Sequence, residues 1–167
     1  MKTTTLIISI IISIVLPLLF GTQIHSQTVV QNLSVSQASL RPLIATEQEV
    51  RQFFENYIER YTGKNIDGFL SLFSPKAIQN QKDGLPGIRE IYSNFFDQSQ
   101  TLRYRMEGRK VEIYENAVEV KARYEIEKVM ERSGEIKVWK GQGRWVLIKE
   151  GGVLKIFSID YQHQKTP

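Results

Sequence analysis

The chain has 167 residues, of which 24% are charged and 41% hydrophobic, with a formal net charge of +4 and no cysteine. This length and composition are those of an ordinary globular protein with one domain. The lack of cysteine excludes disulfides, thiolate nucleophiles and zinc–thiolate sites, and the small charge excess favours solubility over a nucleic-acid-binding face.

The first 26 residues predict a signal peptide or an N-terminal anchor. Residues 6–20 are fifteen almost purely aliphatic residues, which fits a signal-peptide core better than a membrane span of about 20 apolar residues. Pro17 and Gly21 also fit a signal peptide, whereas Ile24 is larger than a cleavage site prefers at its position. We therefore expect an exported protein, periplasmic or secreted, which residues 6–20 anchor in the membrane if they are not removed.

Residues 27–45 predict a flexible linker. They are rich in Gln, Ser and Val, include Pro42, and show neither a helical nor an alternating apolar period,. The folded domain is predicted to span residues 46–162, and residues 163–167 form a short tail.

The domain is predicted to begin with an amphipathic helix. Thr46 and Glu49 have the spacing of a capping box at its start,. Gly63 is placed where a left-handed residue commonly ends a helix. One apolar stripe with a 3.6-residue period follows the cap, made of Val50, Phe53, Phe54, Tyr57, Ile58 and Tyr61.

Two more helices and a strand are predicted before residue 100. Asn65 or Asp67 caps a short, largely apolar helix, which we expect Pro75 to close,. The residues "KAIQNQ" predict a short strand, and "KDGLPG" a turn-rich connection,. The third helix carries one apolar stripe, made of Ile88, Ile91, Tyr92, Phe95 and Phe96.

After Gln100 the apolar period changes to two, which predicts antiparallel strands with one covered and one solvated face. Gly108 is expected to separate the first two strands, and Ser133-Gly134 and Gly151-Gly152 to form hairpin turns,. The predicted fold is α+β: a cone-shaped, strongly curved antiparallel sheet covered by three N-terminal helices, with a cavity at its mouth.

Three stretches resemble the nuclear-transport-factor-2-like superfamily, which includes SnoaL-like polyketide cyclases and ketosteroid isomerases. They are "FFENYIERYTGKNIDGFLSLFSPKAI", "GLPGIREIYSNFF" and "GRWVLIKEGGVLKIFSIDY". The resemblance covers the whole predicted domain and implies a hydrophobic pocket and frequent dimerisation. It does not imply a single activity, because some members are enzymes and many only bind or pair.

The resemblance also implies where an isomerase of this superfamily would carry its catalytic groups. Its carboxylate base falls on Gln81, or on Asn80 with a slip, and its acid falls near Gly143. None of these can do that chemistry, so only a tyrosine, Tyr57, is matched. We therefore expect no catalytic residue of that type.

Other candidates for chemistry each have a plainer interpretation. Asp160 shares one face of the last strand with Leu154, Ile156 and Ser158, so it would reach the pocket rim if that face points inward. The alternative is a solvated strand end. Of the two histidines, His25 belongs to the leader and His163 is expected to be a surface residue of the tail. No metal-ligand spacing and no phosphate-binding loop are present, and no cofactor is expected.

"WKGQGRW" is the most unusual stretch of the sheet. Trp139 and Trp145 flank two glycines on one face, so the glycines either leave room for a ligand between aromatic walls or let the strand bend while the indoles fill the core. Gln79, Gln81 and Tyr104 are candidates for polar edges of the same pocket. The predicted pocket-lining residues are Tyr57, Gln79, Gln81, Tyr104, Trp139, Trp145 and Asp160.

These patterns favour a non-catalytic ligand-binding or protein-interaction module of the cell envelope. The alternative is a SnoaL-like lyase or isomerase that uses Asp160 or Tyr57 on a small hydrophobic substrate. The expected partners are a small hydrophobic ligand and either a second copy, paired through the sheet, or another envelope protein. No nucleic acid is expected, and a membrane only through an uncleaved N-terminal segment.

Overall fold

The computed structural model describes residues 42–164, which hold three helices and six strands. The predicted signal peptide, most of the linker and residues 165–167 lie outside this range. In chain order the elements are α1 (Glu47–Thr62), α2 (Ile66–Leu70), β1 (Phe73–Gln79), β2 (Asp83–Gly84), α3 (Leu85–Asp97), β3 (Ser99–Ile113), β4 (Val118–Met130), β5 (Ile136–Glu150) and β6 (Val153–His163). None of the helices in residues 42–164 has the length and apolar character to cross a membrane.

The strands form one six-stranded sheet in the order β2-β1-β6-β5-β4-β3. All neighbours are antiparallel except β1 and β6, which run parallel. The sheet is curved and not closed, and the helices cover its inner face. The predicted α+β class is confirmed; the parallel pairing of the short early strand with the last one was not part of the prediction.

Helix α1 begins as predicted and ends differently. The Thr46 hydroxyl accepts from the Glu49 backbone N–H, and the Glu49 carboxylate accepts from the Thr46 N–H at 2.7 Å, so the capping box is confirmed. Gly63, however, has φ −73°, and Lys64 takes the left-handed conformation with φ +54°. The Lys64 ammonium donates to the Ser99 carbonyl at 2.6 Å, which holds this residue in place.

The sequence predicts that Pro75 ends α2, but the structure shows that it does not. The helix is capped by Asn65, whose Oδ1 accepts from the Gly68 N–H at 2.9 Å, and it ends at Leu70. Pro75 lies inside β1, where the pairing with β6 is interrupted between Phe73 and Ile78. Proline has no N–H and so cannot donate a hydrogen bond to a neighbouring strand. It is tolerated here because the interrupted pairing leaves no such bond to lose.

Gly108 does not separate two strands; β3 is one strand of 15 residues with a bulge. The register with β4 shifts between Glu107 and Lys110, and Gly108 has φ +61°. A bulge with glycine in the left-handed region bends a strand without ending it.

Strand β6 contains a second bulge, and this one reverses the side-chain alternation. Val146 of β5 pairs with Ser158, but Leu147 pairs with Ile156, so Phe157 is an extra residue. Ile156 and Ile159 are both buried, although a regular strand would place them on opposite faces,. Beyond the bulge the odd-numbered residues of β6 therefore point inward and Asp160 points outward.

The outer face of the sheet is covered by ion pairs between neighbouring strands. Glu119 accepts from Arg144 at 2.9 Å and lies 2.5 Å from the Lys121 ammonium. These two contacts, the hydrogen bond from Arg144 first, lower the pKa of Glu119 from 4.5 to about 2. Alternating charges of this kind are typical of a solvated sheet surface.

We expect Glu119→Gln to remove part of the acid sensitivity of the domain. Because the pKa of Glu119 is lower in the folded chain, the unfolded chain binds a proton first as the pH falls,. The stability from Glu119 is therefore fully present above its ordinary pKa and is lost as the pH falls toward about 2. Urea midpoints should differ between wild type and Glu119→Gln at pH 6, and the difference should shrink below about pH 4.5 and vanish only as the pH approaches about 2,. Glu55→Gln, on the exposed side of α1, is the matched control; a gap that persists at low pH would contradict the assignment.

Candidate functional site

An aromatic cavity of about 270 Å³ lies between the inner face of the sheet and helices α1 and α3. Its walls are mostly aromatic side chains. Its mouth lies where the more exposed of its lining residues reach the solvent. We call it the aromatic cavity. It is lined by Tyr57, Tyr61, Ile91, Tyr92, Phe95, Tyr104, Tyr124, Ile126, Trp139, Trp145, Ile159, Tyr161 and His163.

The deep wall of the cavity is built around Tyr57 and Trp145. Each is 1% exposed, and their rings meet edge to face with centroids 6.3 Å apart. Tyr57 also meets Tyr104 edge to face at 5.7 Å. The buried Trp145 Nε1 makes no hydrogen bond of acceptable geometry to the described residues. The deep wall is therefore a closely packed aromatic surface, whose polar atoms are the indole N–H and the phenol hydroxyls.

The tyrosines of the cavity keep their protons at any physiological pH. Burial raises the pKa of Tyr57 to about 12, although interactions with Trp145 and Tyr104 partly oppose it. Burial likewise raises the pKa of Tyr61, Tyr92 and Tyr104 well above the usual value of 10.0. The hydroxyl groups on these walls are thus neutral hydrogen-bonding groups rather than bases.

The mouth carries a hydrogen-bonded pair, Tyr124 and His163. Tyr124 Oη and His163 Nδ1 are 2.9 Å apart, and burial raises the pKa of Tyr124 to about 12. Tyr161 lies beside both rings, with centroids 6.5 Å from Tyr124 and 5.4 Å from His163. The imidazole is exposed whereas Tyr124 is buried, so the pair connects solvent with the cavity.

Aromatic rings of the same chain lie against the two glycines of β5, Gly141 and Gly143. A Cβ on Gly143 would lie 2.3 Å from Trp145 Cη2, and one on Gly141 would lie 2.1 Å from the Gln162 backbone oxygen and 2.5 Å from the Tyr124 hydroxyl oxygen. The space over Gly143 is therefore filled by the indole, and that over Gly141 by the backbone of β6 and the phenol. This geometry supports the structural interpretation of "WKGQGRW" over a ligand slot at the glycines.

Four of the predicted pocket residues lie together and three lie elsewhere. Those that line the aromatic cavity are Tyr57, Tyr104, Trp139 and Trp145. Gln79 is fully buried behind Tyr161, to whose hydroxyl its Nε2 donates at 3.4 Å. Gln81 is exposed at a turn with φ +59°.

Asp160 lies on the opposite side of the sheet from the cavity, 3.6 Å from Arg144. The bulge at Phe157 causes this, because it shifts the alternation after Ile156 by one residue,. Asp160 and Gln81 instead border an open groove of about 600 Å³ on the outer face. Asp160 and Tyr57, the two residues that the lyase hypothesis names, therefore border different pockets.

The same bulge brings Tyr161 and His163 into the cavity, and sequence reasoning missed both. His163 is the last residue of β6, not part of the tail. One signal was available: the aliphatic residues Leu154 and Ile156 are two apart, but the next aliphatic residue, Ile159, is three further on. A break from two to three within one strand is what a bulge produces.

Comparison with protein-family models gave no match, and comparison with curated sequences gave none either. Solved structures do match. A nuclear transport factor 2-like superfamily protein from Salmonella enterica serovar Typhimurium matches 71% of this chain and 91% of its own, with a TM-score of 0.63 and 17% identity.

Two further structures agree over the same region. A putative scytalone dehydratase from Novosphingobium aromaticivorans matches 71% of this chain and 83% of its own, with a TM-score of 0.65 and 9% identity. A putative calcium/calmodulin-dependent protein kinase II association domain from Xanthomonas campestris matches 72% and 89%, with a TM-score of 0.63 and 12% identity. Likeness at such identities shows a shared fold, so the domain has the nuclear-transport-factor-2-like fold that the sequence resemblance predicted.

Proposed function

We propose that this protein is a non-catalytic module that binds a small hydrophobic ligand in the aromatic cavity. The observation that carries the proposal is a cavity of about 270 Å³ whose described lining is aromatic or aliphatic and includes no carboxylate. Cavities with apolar walls and a few convergent polar groups are the usual form of a small-molecule site. The volume lies near the lower end of such sites, which favours a ligand of one or two rings.

The names of the similar structures support both binding and assembly. One is called a putative dehydratase and another a putative association domain. The same fold is thus assigned to small-molecule chemistry in one protein and to assembly in another. We therefore also propose that the chain pairs, through its sheet, with a second copy or with another protein of the cell envelope. Export, as the leader predicts, would place the module there.

A lyase or isomerase for a small hydrophobic substrate is the second candidate. The Tyr124–His163 pair favours it, because a hydrogen-bonded phenol and imidazole at the cavity can pass a proton to or from a substrate,. The described lining has no second titratable base to work with the imidazole. For that reason we place binding first.

Native mass spectrometry of the full chain, purified from its own host, tests the proposal. We expect a retained molecule of low mass, and the same spectrum reports the oligomer. Incubation with candidate substrates, followed by product analysis, separates the two candidates. A chain that holds no small molecule and turns over a substrate would contradict the non-catalytic proposal.

We expect Ile91→Trp to block ligand binding without unfolding the domain. Ile91 lies on α3 at the cavity mouth and is 38% exposed, so a larger side chain has room to extend across the opening. Retention of the small molecule, and binding of naphthalene-2-carboxamide measured by calorimetry, should fall by about tenfold or more.

Val153→Trp is the control for this variant. It adds the same indole at a 54% exposed aliphatic position beside the β5–β6 turn, away from the cavity. It should bind like the wild type. Equal loss in both variants, or in neither, would show that the cavity is not the ligand site.

A further inference from the structure

The polar groups of the aromatic cavity are all able to donate hydrogen bonds. They comprise two indole N–H groups, one imidazole and six phenolic hydroxyls, those of Tyr57, Tyr61, Tyr92, Tyr104, Tyr124 and Tyr161. The raised pKa values keep the phenol protons in place. No carboxylate belongs to the described lining. An anionic oxygen would therefore meet donors and no fixed negative charge, which is the condition for burying an anion.

Tyr124 and His163 are the pair best placed to receive such an oxygen. The Tyr124 ring is 5% exposed, stacks on Tyr104 at 6.3 Å and is held 2.9 Å from the imidazole Nδ1. The imidazole is on the solvent side. A charged group at this point keeps part of its hydration, while the apolar body of the ligand packs against the aromatic walls. The desolvation penalty of the charge is therefore smaller than at the deep wall.

We propose that the cavity takes a small aromatic or alicyclic acid whose ionised oxygen lies against Tyr124 and His163. The inference rests on the proposed ligand-binding function and adds the class of ligand. When the imidazole is protonated, Nδ1–H donates to the Tyr124 oxygen, and the Tyr124 proton is left to donate to the anion. When the imidazole is neutral and accepts the Tyr124 proton, the phenol oxygen presents lone pairs to the anion instead.

The charged groups around the pair leave this polarity intact. Around the pair, β6 contributes the Tyr161 ring, and α3 contributes Ile91 and Phe95 to the mouth, all uncharged. The ammonium of Lys128, buried on β4, lies 4.2 Å from the Phe95 ring, and the charge of Asp83 on β2 acts on Tyr161. On the outer face, Glu125 lies 2.8 Å from Lys140 and 3.5 Å from Arg105. A small cleft that includes Tyr124 and Gln164 also holds Arg123, which lies 3.9 Å from Glu107.

Glu125 and Glu107 each have a cationic partner on the outer face. None of the described carboxylates lines the cavity to compete with a ligand for the imidazolium. The imidazole is therefore the group through which pH should control the binding of an anion.

Two probes of the same shape test the inference: 2-naphthoate and its neutral analogue naphthalene-2-carboxamide. An aromatic carboxylate has a pKa of about 4 and stays ionised from pH 5.5 to 8. Calorimetry on the full chain should show 2-naphthoate binding about tenfold more tightly at pH 5.5 than at pH 8, the gain typical of a charge-assisted hydrogen bond. The affinity for the amide should not change with pH.

Variants of the pair should remove this dependence. His163→Gln and Tyr124→Phe are each expected to give the same naphthoate affinity at both pH values, whereas Tyr61→Phe, which removes a cavity hydroxyl away from the imidazole, should keep the pH dependence. Circular dichroism confirms that each variant is folded. In the wild type, NMR of the His163 ring gives a second measurement: 2-naphthoate should move its titration to higher pH, since binding and protonation are linked.

The outcomes separate the two proposals. If the amide binds in the cavity but naphthoate shows no pH dependence, the acid class is wrong and the ligand-binding function stands. A pH dependence that survives in His163→Gln would also overturn the inference. Both proposals fail if two results are found together. The first is that neither probe binds to the wild type, and the second is that Ile91→Trp retains the same small molecule from the host as the wild type does.

Discussion

Gly143→Ala is expected to destabilise the domain by about 2–3 kcal/mol, the range of overpacked cores. The new Cβ would lie 2.3 Å from Cη2 and 2.7 Å from Cζ3 of the Trp145 indole, far inside van der Waals contact. The indole cannot move away cheaply, because Trp145 is 1% exposed and packs edge to face on Phe54 and Tyr57. Urea unfolding followed by circular dichroism measures the change.

Gly87→Ala is the matched control, with an effect of opposite sign. Gly87 lies in α3, and the nearest atom to a Cβ there is the Asp83 Cβ at 3.4 Å, an ordinary contact. Alanine is favoured over glycine in a helix by about 0.5–1 kcal/mol, so this variant should be more stable than the wild type. A Gly143→Ala protein as stable as the wild type would show that the indole does not occupy the space over Gly143.

The second large effect is expected for Phe69→Ala, a loss of about 3–5 kcal/mol. Phe69 is fully buried on α2 and links all three helices with β1. Its ring centroid lies 4.8 Å from Tyr92 of α3, 5.1 Å from Tyr57 of α1 and 5.3 Å from Phe73 of β1. Alanine would leave a cavity among rigid rings that have little freedom to collapse into it.

Phe157→Ala removes the same atoms from an exposed site and is the control. Phe157 is the bulge residue of β6 and is 40% exposed, so we expect a change of less than about 1 kcal/mol,. If the two alanine variants unfold at the same urea concentration, the central position of Phe69 in the core is refuted.

The elements that could be predicted are those whose signal is local. The capping box needs only Thr46 and Glu49, three residues apart, and the β5–β6 turn needs only Gly151 and Gly152, which take φ +58° and +83°. Apolar spacings of three and four for the helices and two for the strands report which face each element buries. These features depend only on residues within one helical turn or one hairpin, so they can be predicted from a single sequence.

The candidate site was predicted in part, and the misassigned face of Asp160 has a specific cause. Tyr57, Tyr104, Trp139 and Trp145 belong to regular elements, so their apolar faces could be assigned from periodicity, and the structure places them around one cavity. Their role in binding stays a prediction. Asp160 follows the bulge in β6, and counting by twos therefore assigned it to the wrong face.

Local signals also failed where tertiary contacts compete with them. Gly63 follows a helix in the position that favours a left-handed glycine, but Lys64 takes that conformation because its ammonium bonds to the Ser99 and Gln100 carbonyls. Pro75 follows a helix as a stop would, but it is accommodated in a strand at an interrupted ladder. In each case a residue distant in sequence decided the outcome.

By itself, the sequence determined the class of fold, the order of helices and strands, and the apolar face of each regular element, since periodicity and turn chemistry are properties of neighbouring residues. The tertiary structure alone decided which side of the sheet Asp160, Tyr161 and His163 face, that Trp145 fills the space over Gly143, and that Tyr124 meets His163. Those relations depend on strand register, and one inserted residue in β6 reverses every side chain that follows it,.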